Sequence, residues 1–251
     1  IGLGADGDRS LGNGQNGLSL VGANRDVIGG SFAQRNYVAG SQLCGIAVTL
    51  SHSVQVSGND IGMDGTGLFP RPNGNGVCID SSEDIQIEAN RISGNSNNGV
   101  VITAGEFERV NTRNGRIIGN IIGPRADGAR IGNGSHGIEL KGDVSADGGL
   151  SVVNTQIVDN IIAFNQGAGV FVDECSRVQG TRVFGVNHDN VDIPIRYRRC
   201  PVPPDPQTLQ PIFVVLDLSA AFNEPTDVPG EEQTVVEGVV ESEPDEEITI
   251  D

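Results

Sequence analysis

The chain has 251 residues, among them 36 glycines, 12 prolines, four cysteines and no tryptophan, and a formal net charge of −17. No stretch approaches the roughly 18 consecutive apolar residues of a membrane-spanning helix. The excess of 33 acidic over 16 basic residues argues against nucleic acid or membrane as a partner, because phosphate is bound by Lys and Arg.

The N-terminal segment runs from Ile1-Gly2 to Asn13-Gly14 and carries Asp6-Gly7. Similar segments return at Ile61-Gly62 to Asn73-Gly74, with Asp64-Gly65, and at Ile122-Gly123 to Asn133-Gly134, with Asp127-Gly128. Their turn chemistry predicts loops that project on one side. Each is followed by a Gly, apolar, any, apolar motif, and that motif recurs more often than the loops do. It stands at Gly17-Leu18-Ser19-Leu20, Gly45-Ile46-Ala47-Val48, Gly76-Val77-Cys78-Ile79, Gly99-Val100-Val101-Ile102, Gly137-Ile138-Glu139-Leu140 and Gly169-Val170-Phe171-Val172, with Asn190-Val191-Asp192-Ile193 as a variant. The mean spacing is about 29 residues, within the range of solenoid repeats.

A second ladder is in phase with the first. Asn59, Asn90, Asn120 and Asn160 each follow an apolar residue by three and precede an Ile by two, and Asn36 fits partly. Period-two alternation predicts short strands, and the glycine density excludes helix. Stacked Asn can turn a corner in left-handed conformations while hydrogen-bonding along the ladder. The fold class predicted is all-β: a parallel β-helix of about seven coils over residues 1–200.

The Ile-Gly, Asp-Gly, Gly-Asn-Gly, Gly-Ile-x-Leu and Asn-x-Ile-x-Gly-Asn patterns resemble the right-handed parallel β-helix repeats of secreted bacterial surface proteins, in the superfamily of the pectate lyases. The resemblance covers residues 1 to 193. It implies an extracellular or cell-surface setting and leaves activity open, since lyases, epimerases and adhesins share the fold.

Composition changes near residue 200: eight of the 12 prolines follow it, and residues 201–251 hold 13 Asp or Glu and no Lys or Arg. This acidic extension carries the apolar runs Ile212-Phe213-Val214-Val215-Leu216 and Thr234 to Val240, the latter with Val235, Val236, Val239 and Val240. Such runs predict strands laid on something else, or disorder until bound. Pairing Cys175 with Cys200 would anchor the extension, leaving Cys44 to pair with Cys78 on the adjacent coil.

Two functional readings follow. Ile1 aligns with Ile61 and Ile122, so the chain begins inside a coil. This predicts exposed apolar residues there, including Leu3, and either a removed preceding domain or a stacked second subunit. Motif positions Ala47, Cys78 and Val101 would add an outward apolar strip. Together with the extension, these features predict a non-enzymatic structural protein that self-associates by stacking or strand donation into a fibre or adhesin. The alternative is a polysaccharide lyase or epimerase acting on an acidic glycan. For that reading the best cluster is Asp143, Asp147 and Lys141 near Glu139, while His52, His136 and His188 read as surface or corner residues. With only Tyr37 and Tyr197 besides eight Phe, a glycan partner has few stacking platforms. No cofactor is called for, although Asp6, Asp8, Asp64 and Asp127 at the loop turns are weak candidates for calcium.

Overall fold

The repeated motifs build the first face of a right-handed parallel β-helix. In the computed structural model, which describes residues 1–105, 110–142, 151–173, 178–179, 182–188, 190–192, 195–198, 215–225 and 232–241, seven strands stack in parallel as sheet A. They are Leu18–Val21, Cys44–Thr49, Asn75–Asp80, Val100–Thr103, Ile138–Lys141, Val170–Asp173 and Ile195–Arg198. The register places Leu18, Ile46, Val77, Val100, Ile138 and Val170 in one inward row and Leu20, Val48, Ile79, Ile102, Leu140 and Val172 in the next. From Ile46 onward these side chains are essentially fully buried, each contributing about 1.5–3 kcal/mol relative to exposure.

Sheet B bends around the Asn corner. One leg contains Val27–Gly29, Gln55–Ser57, Gln86–Glu88, Arg116–Ile118 and Gln156–Ala163, and the other contains Tyr37–Val38, Asp60–Ile61, Arg91–Ile92 and Ile121–Ile122. Ile28, Val56, Ile87, Ile117 and Ile157 line its inner side and meet the sheet A rows in a single core. Sheet C is the smallest face, made of Thr112–Arg113, Val152–Val153 and Val178–Gln179 and continued by the bridges Asn24–His52, His52–Glu83 and Glu83–Arg113.

The corner asparagines hydrogen-bond as a chain. Asn59 donates its backbone N–H and its Nδ2 to Asn90 Oδ1 at 2.9 and 3.0 Å, Asn90 does the same to Asn120, and Asn120 to Asn160. A second ladder, not anticipated from sequence, runs Asn73, Asn95, Asn133, Asn165, Asn190 before sheet A. The motif glycines have a steric cause: a Cβ on Gly99 would lie 2.6 Å from the Gly137 carbonyl oxygen of the next coil, and Gly17, Gly45, Gly76 and Gly137 meet the same obstacle.

Cys44 and Cys78 form a disulfide between adjacent coils, with Cα atoms 6.1 Å apart. Cys175 and Cys200 lie outside the described residues. The disulfide sits on the strip expected to be apolar and exposed. Ala47 there is only 9% exposed, and Val101 is half-buried, so the strip is largely covered. The three inserts are small hairpins, pairing Leu3 with Ser10, Met63 with Pro70 and Pro124 with Arg130. They stack through Gly65 N–H to Gly7 O and Ala126 N–H to Gly67 O. Leu3 is thus half-buried in a hairpin rather than on an open coil face, whereas Ile1 is exposed as expected and joins the short leg of sheet B through Ala39 N–H to Ile1 O. In the extension, Val215–Pro225 and Glu232–Glu241 pair antiparallel with each other. Leu216 faces Val240, Val215 faces Glu241, and Val239, Val236 and Val235 face Asp217, Ala221 and Phe222. The strands predicted to be donated therefore satisfy each other; Ile212, Phe213 and Val214 lie outside the described residues.

Candidate functional site

Alternation gives sheet A two outward rows, and a third row joins the same face ahead of the motif glycines. One row precedes the motif glycines and includes Cys44, Asn75, Asn98 and His136. The middle row is Ser19, Ala47, Cys78, Val101, Glu139, Phe171 and Arg196, and the third includes Thr49, Asp80, Thr103, Lys141 and Asp173. Small and neutral side chains predominate over the first four coils. Over the last three coils the rows turn ionisable and aromatic.

Asn98 organises this end. It is almost fully buried, its Nδ2 donates to Glu139 Oε2 at 2.7 Å, and its Oδ1 accepts the His136 backbone N–H at 2.9 Å. Its own N–H donates to Asn75 Oδ1 at 3.0 Å. The carboxylate of Glu139 is thereby held by a neutral donor that cannot take its proton.

The His136 ring stacks on Phe171, centroids 4.6 Å apart and planes 11° from parallel. Its Nδ1 accepts the Ala168 N–H at 2.9 Å, which leaves the proton of the neutral imidazole on Nε2. A Cβ at Gly167 would lie 2.6 Å from Nδ1, so the glycine admits the ring. Burial holds the His136 pKa below its ordinary value; Glu139 and Asp192 pull the other way, and Arg196 reinforces the depression. Arg196 pairs with Asp192 through Nε and Nη2, which donate to Oδ2 and Oδ1. Lys141 is exposed and in register with Asp173, which is 3% exposed. A half-buried face therefore combines a positioned carboxylate, a neutral imidazole carrying an outward N–H, an aromatic surface and two cations.

Sequence reasoning reached part of this. Glu139 and Lys141 stand two apart on one outward strand face, but Asp143 and Asp147 lie outside the described residues. His136, expected to be an ordinary corner histidine, is instead stacked in the cluster. His52 does sit exposed at a corner, with Ser53 Oγ 2.6 Å from its Nδ1 and Asp84 3.5 Å from Nε2. His188 ends the strand Arg182–His188, and its side chain is outside the described residues. Asn98, Asp192 and Arg196 were missed as site residues.

The acidic turn residues are occupied by turn chemistry. Asp6 Oδ1 accepts the N–H groups of Asp8 and Arg9, which hold its carboxyl below the usual range. Asp64 is buried, which alone would raise its pKa, but donors from Thr66, Phe69 and Leu68 prevail and lower it. Asp127 pairs with Arg125 and accepts the Ala129 N–H, and Asp8 pairs with Arg71. Among the described residues no three His, Cys, Asp or Glu side chains converge on a metal position.

No family model matches the chain, and no curated protein matches it. Among solved structures it is similar to two variants of the periplasmic alginate epimerase AlgG, at 18% and 15% identity with TM-scores of 0.49 and 0.39, covering 70% and 73% of this chain and 33% and 46% of theirs. It is also similar to the A-module of the Azotobacter vinelandii mannuronan C-5 epimerase AlgE6, at 17% identity and a TM-score of 0.41, covering 77% of this chain and 50% of that one. The chain thus spans a third to a half of these proteins. Likeness at this level concerns the fold. These neighbours are enzymes by name and none is a fibre or adhesin, which overturns the expectation of a non-enzymatic assembly module; the covered strip and the self-paired extension remove two of its motives, while the first coil keeps exposed apolar residues, Ile1 among them.

Proposed function

We propose that the chain is a carbohydrate-active β-helix enzyme that removes the proton α to the carboxylate of a uronic-acid residue, as a polysaccharide lyase or epimerase. The observation that carries this reading is the assembly of Asn98, His136, Glu139, Lys141, Phe171 and Arg196 on the outer face of the last four coils. An α C–H beside a carboxylate becomes acidic only when the carboxylate charge is neutralised. Lys141 supplies a cation for that task, against the acidic character of the whole chain, and Arg196, which pairs with Asp192, adds guanidinium N–H donors beside it.

Glu139 is the base: its carboxylate takes the α proton, and the electron pair moves into the sugar carboxylate as an enolate. His136 is the acid. Its Nε2–H is delivered either to the opposite face of the same carbon, inverting it, or to the glycosidic oxygen as the β C–O bond breaks and an unsaturated sugar forms. Phe171 backs the imidazole and offers an apolar surface to the ring. The Cys44–Cys78 disulfide supports an oxidising compartment, periplasmic or extracellular, where such polymers occur.

The test is turnover of polymannuronate, polygalacturonate and polyglucuronate, followed by ultraviolet absorbance for unsaturated ends and by NMR for inverted residues. Glu139→Gln and Lys141→Met are each expected to lower the rate by about 10²–10⁴. Wild-type chain inert on every polyuronate, while well folded, contradicts the proposal.

A further inference from the structure

A cleft of about 500 Å³ opens at the corner between sheets A and C, over coils two to four, lined in part by Leu50, His52, Glu83, Val110, Asn111 and Arg113. Its volume falls within the range of small-ligand sites. Its register is ordered, since His52, Glu83 and Arg113 occupy one position on three successive coils and project side by side.

Leu50 is the unexpected member. The first corner position after the sheet A strand is Gly22 in one coil, Leu50 in the next and Ser81 in the third, all with positive φ, at 66°, 50° and 49°. Glycine suits that backbone and a leucine does not. A half-buried leucine held there against its backbone preference, lining the cleft together with Val110 at 44% exposure, gives the cleft apolar surface that the fold itself does not require. Opposite lie polar groups with spare capacity. Glu83 and Arg113 are exposed, and among the described residues neither enters an ion pair. Asn111 spends its Oδ1 on the Ser151 N–H, and among the described residues its amide N–H groups meet no acceptor.

The geometry points to this cleft as a second sugar subsite, which receives a non-reacting uronate of the same polymer some two strand spacings, about 10 Å, along the helix axis from Glu139. Leu50 and Val110 take the apolar face of the ring, Arg113 takes its carboxylate through paired N–H groups, and Glu83 and Asn111 take hydroxyls. This rests on the reading of the outer face of sheet A as a polyuronate site.

Calorimetric titration of the full chain with mannuronate and galacturonate oligomers of two and six sugars tests it. The hexamer of the recognised series is expected to bind about tenfold more tightly than the dimer. Arg113→Gln and Leu50→Gly are each expected to abolish that gain while leaving dimer affinity unchanged. The Leu50→Gly chain should melt at or above the wild-type temperature, since glycine relaxes the corner. A wild type without the length gain, or variants that retain it, overturns the subsite and leaves the outer-face reading intact. A wild type that binds no oligomer of either series overturns both.

Discussion

A corner asparagine in this helix satisfies its neighbours on both sides, so its removal strands buried polar groups rather than deleting a single bond. Asn90 accepts from Asn59 N and Nδ2, and donates to Val56 O and to Asn120 Oδ1. Asn90→Ala leaves the buried Asn59 backbone N–H unpaired and takes a donor from Val56 O and from Asn120 Oδ1, and is expected to destabilise the chain by about 3 kcal/mol in denaturant unfolding. Gly99→Ala brings a Cβ against backbone and is expected to cost about 1–3 kcal/mol. Half of this corner chemistry was legible: Asn59, Asn90, Asn120 and Asn160 share an Ile two residues on, whereas Asn95, Asn133 and Asn165, four residues before a motif glycine, share no such apolar flank. At His136 the folded pKa lies below the ordinary 6.5. The folded state therefore binds fewer protons than the unfolded one as pH falls through 6.5, and its contribution to stability is present above that value and lost below it. The unfolding midpoint should drop between pH 7 and pH 5 more in wild type than in His136→Gln, and equal slopes would contradict the assignment.

The elements divide by how they are held. The inner five sheet A strands are tied to neighbours on both sides by parallel ladders, and the second and third are also joined by the Cys44–Cys78 disulfide, which encloses a sequence separation of 34. Reduction is expected to lower stability by about 3–4 kcal/mol, read as the shift in denaturant midpoint with and without a reducing agent. The motif spacing made these strands and their inward rows legible. The Cys44–Cys78 pairing was also legible, as cysteines on adjacent coils, whereas the stacking of the hairpins was not, because it depends on backbone contacts between coils. The partner of each extension strand was equally hidden: Val235, Val236, Val239 and Val240 read as a strand in either case, and only the antiparallel register with Val215–Pro225 shows that they meet each other.

Across the molecule, one outer face changes character along the axis, from neutral and disulfide-covered to ionisable. Alternation alone marked Glu139, Lys141 and Phe171 as outward. The role of His136 was obscured because it stands before its motif glycine, in a row that only the coil-to-coil register defines. Asn98 and Arg196 join from other coils for the same reason. The central claim is that this face removes a proton from the carbon α to a uronate carboxylate. The most direct measurement is incubation of a polyuronate with the chain in D2O, followed by NMR of the recovered sugars. Both lyase and epimerase outcomes pass through loss of that proton, so wild type should give deuterium at the carbon of epimerised residues or unsaturated sugars from eliminated ones. Glu139→Gln should give neither. Polymers recovered with the α proton intact and no unsaturation, from wild type that remains folded, would contradict the account.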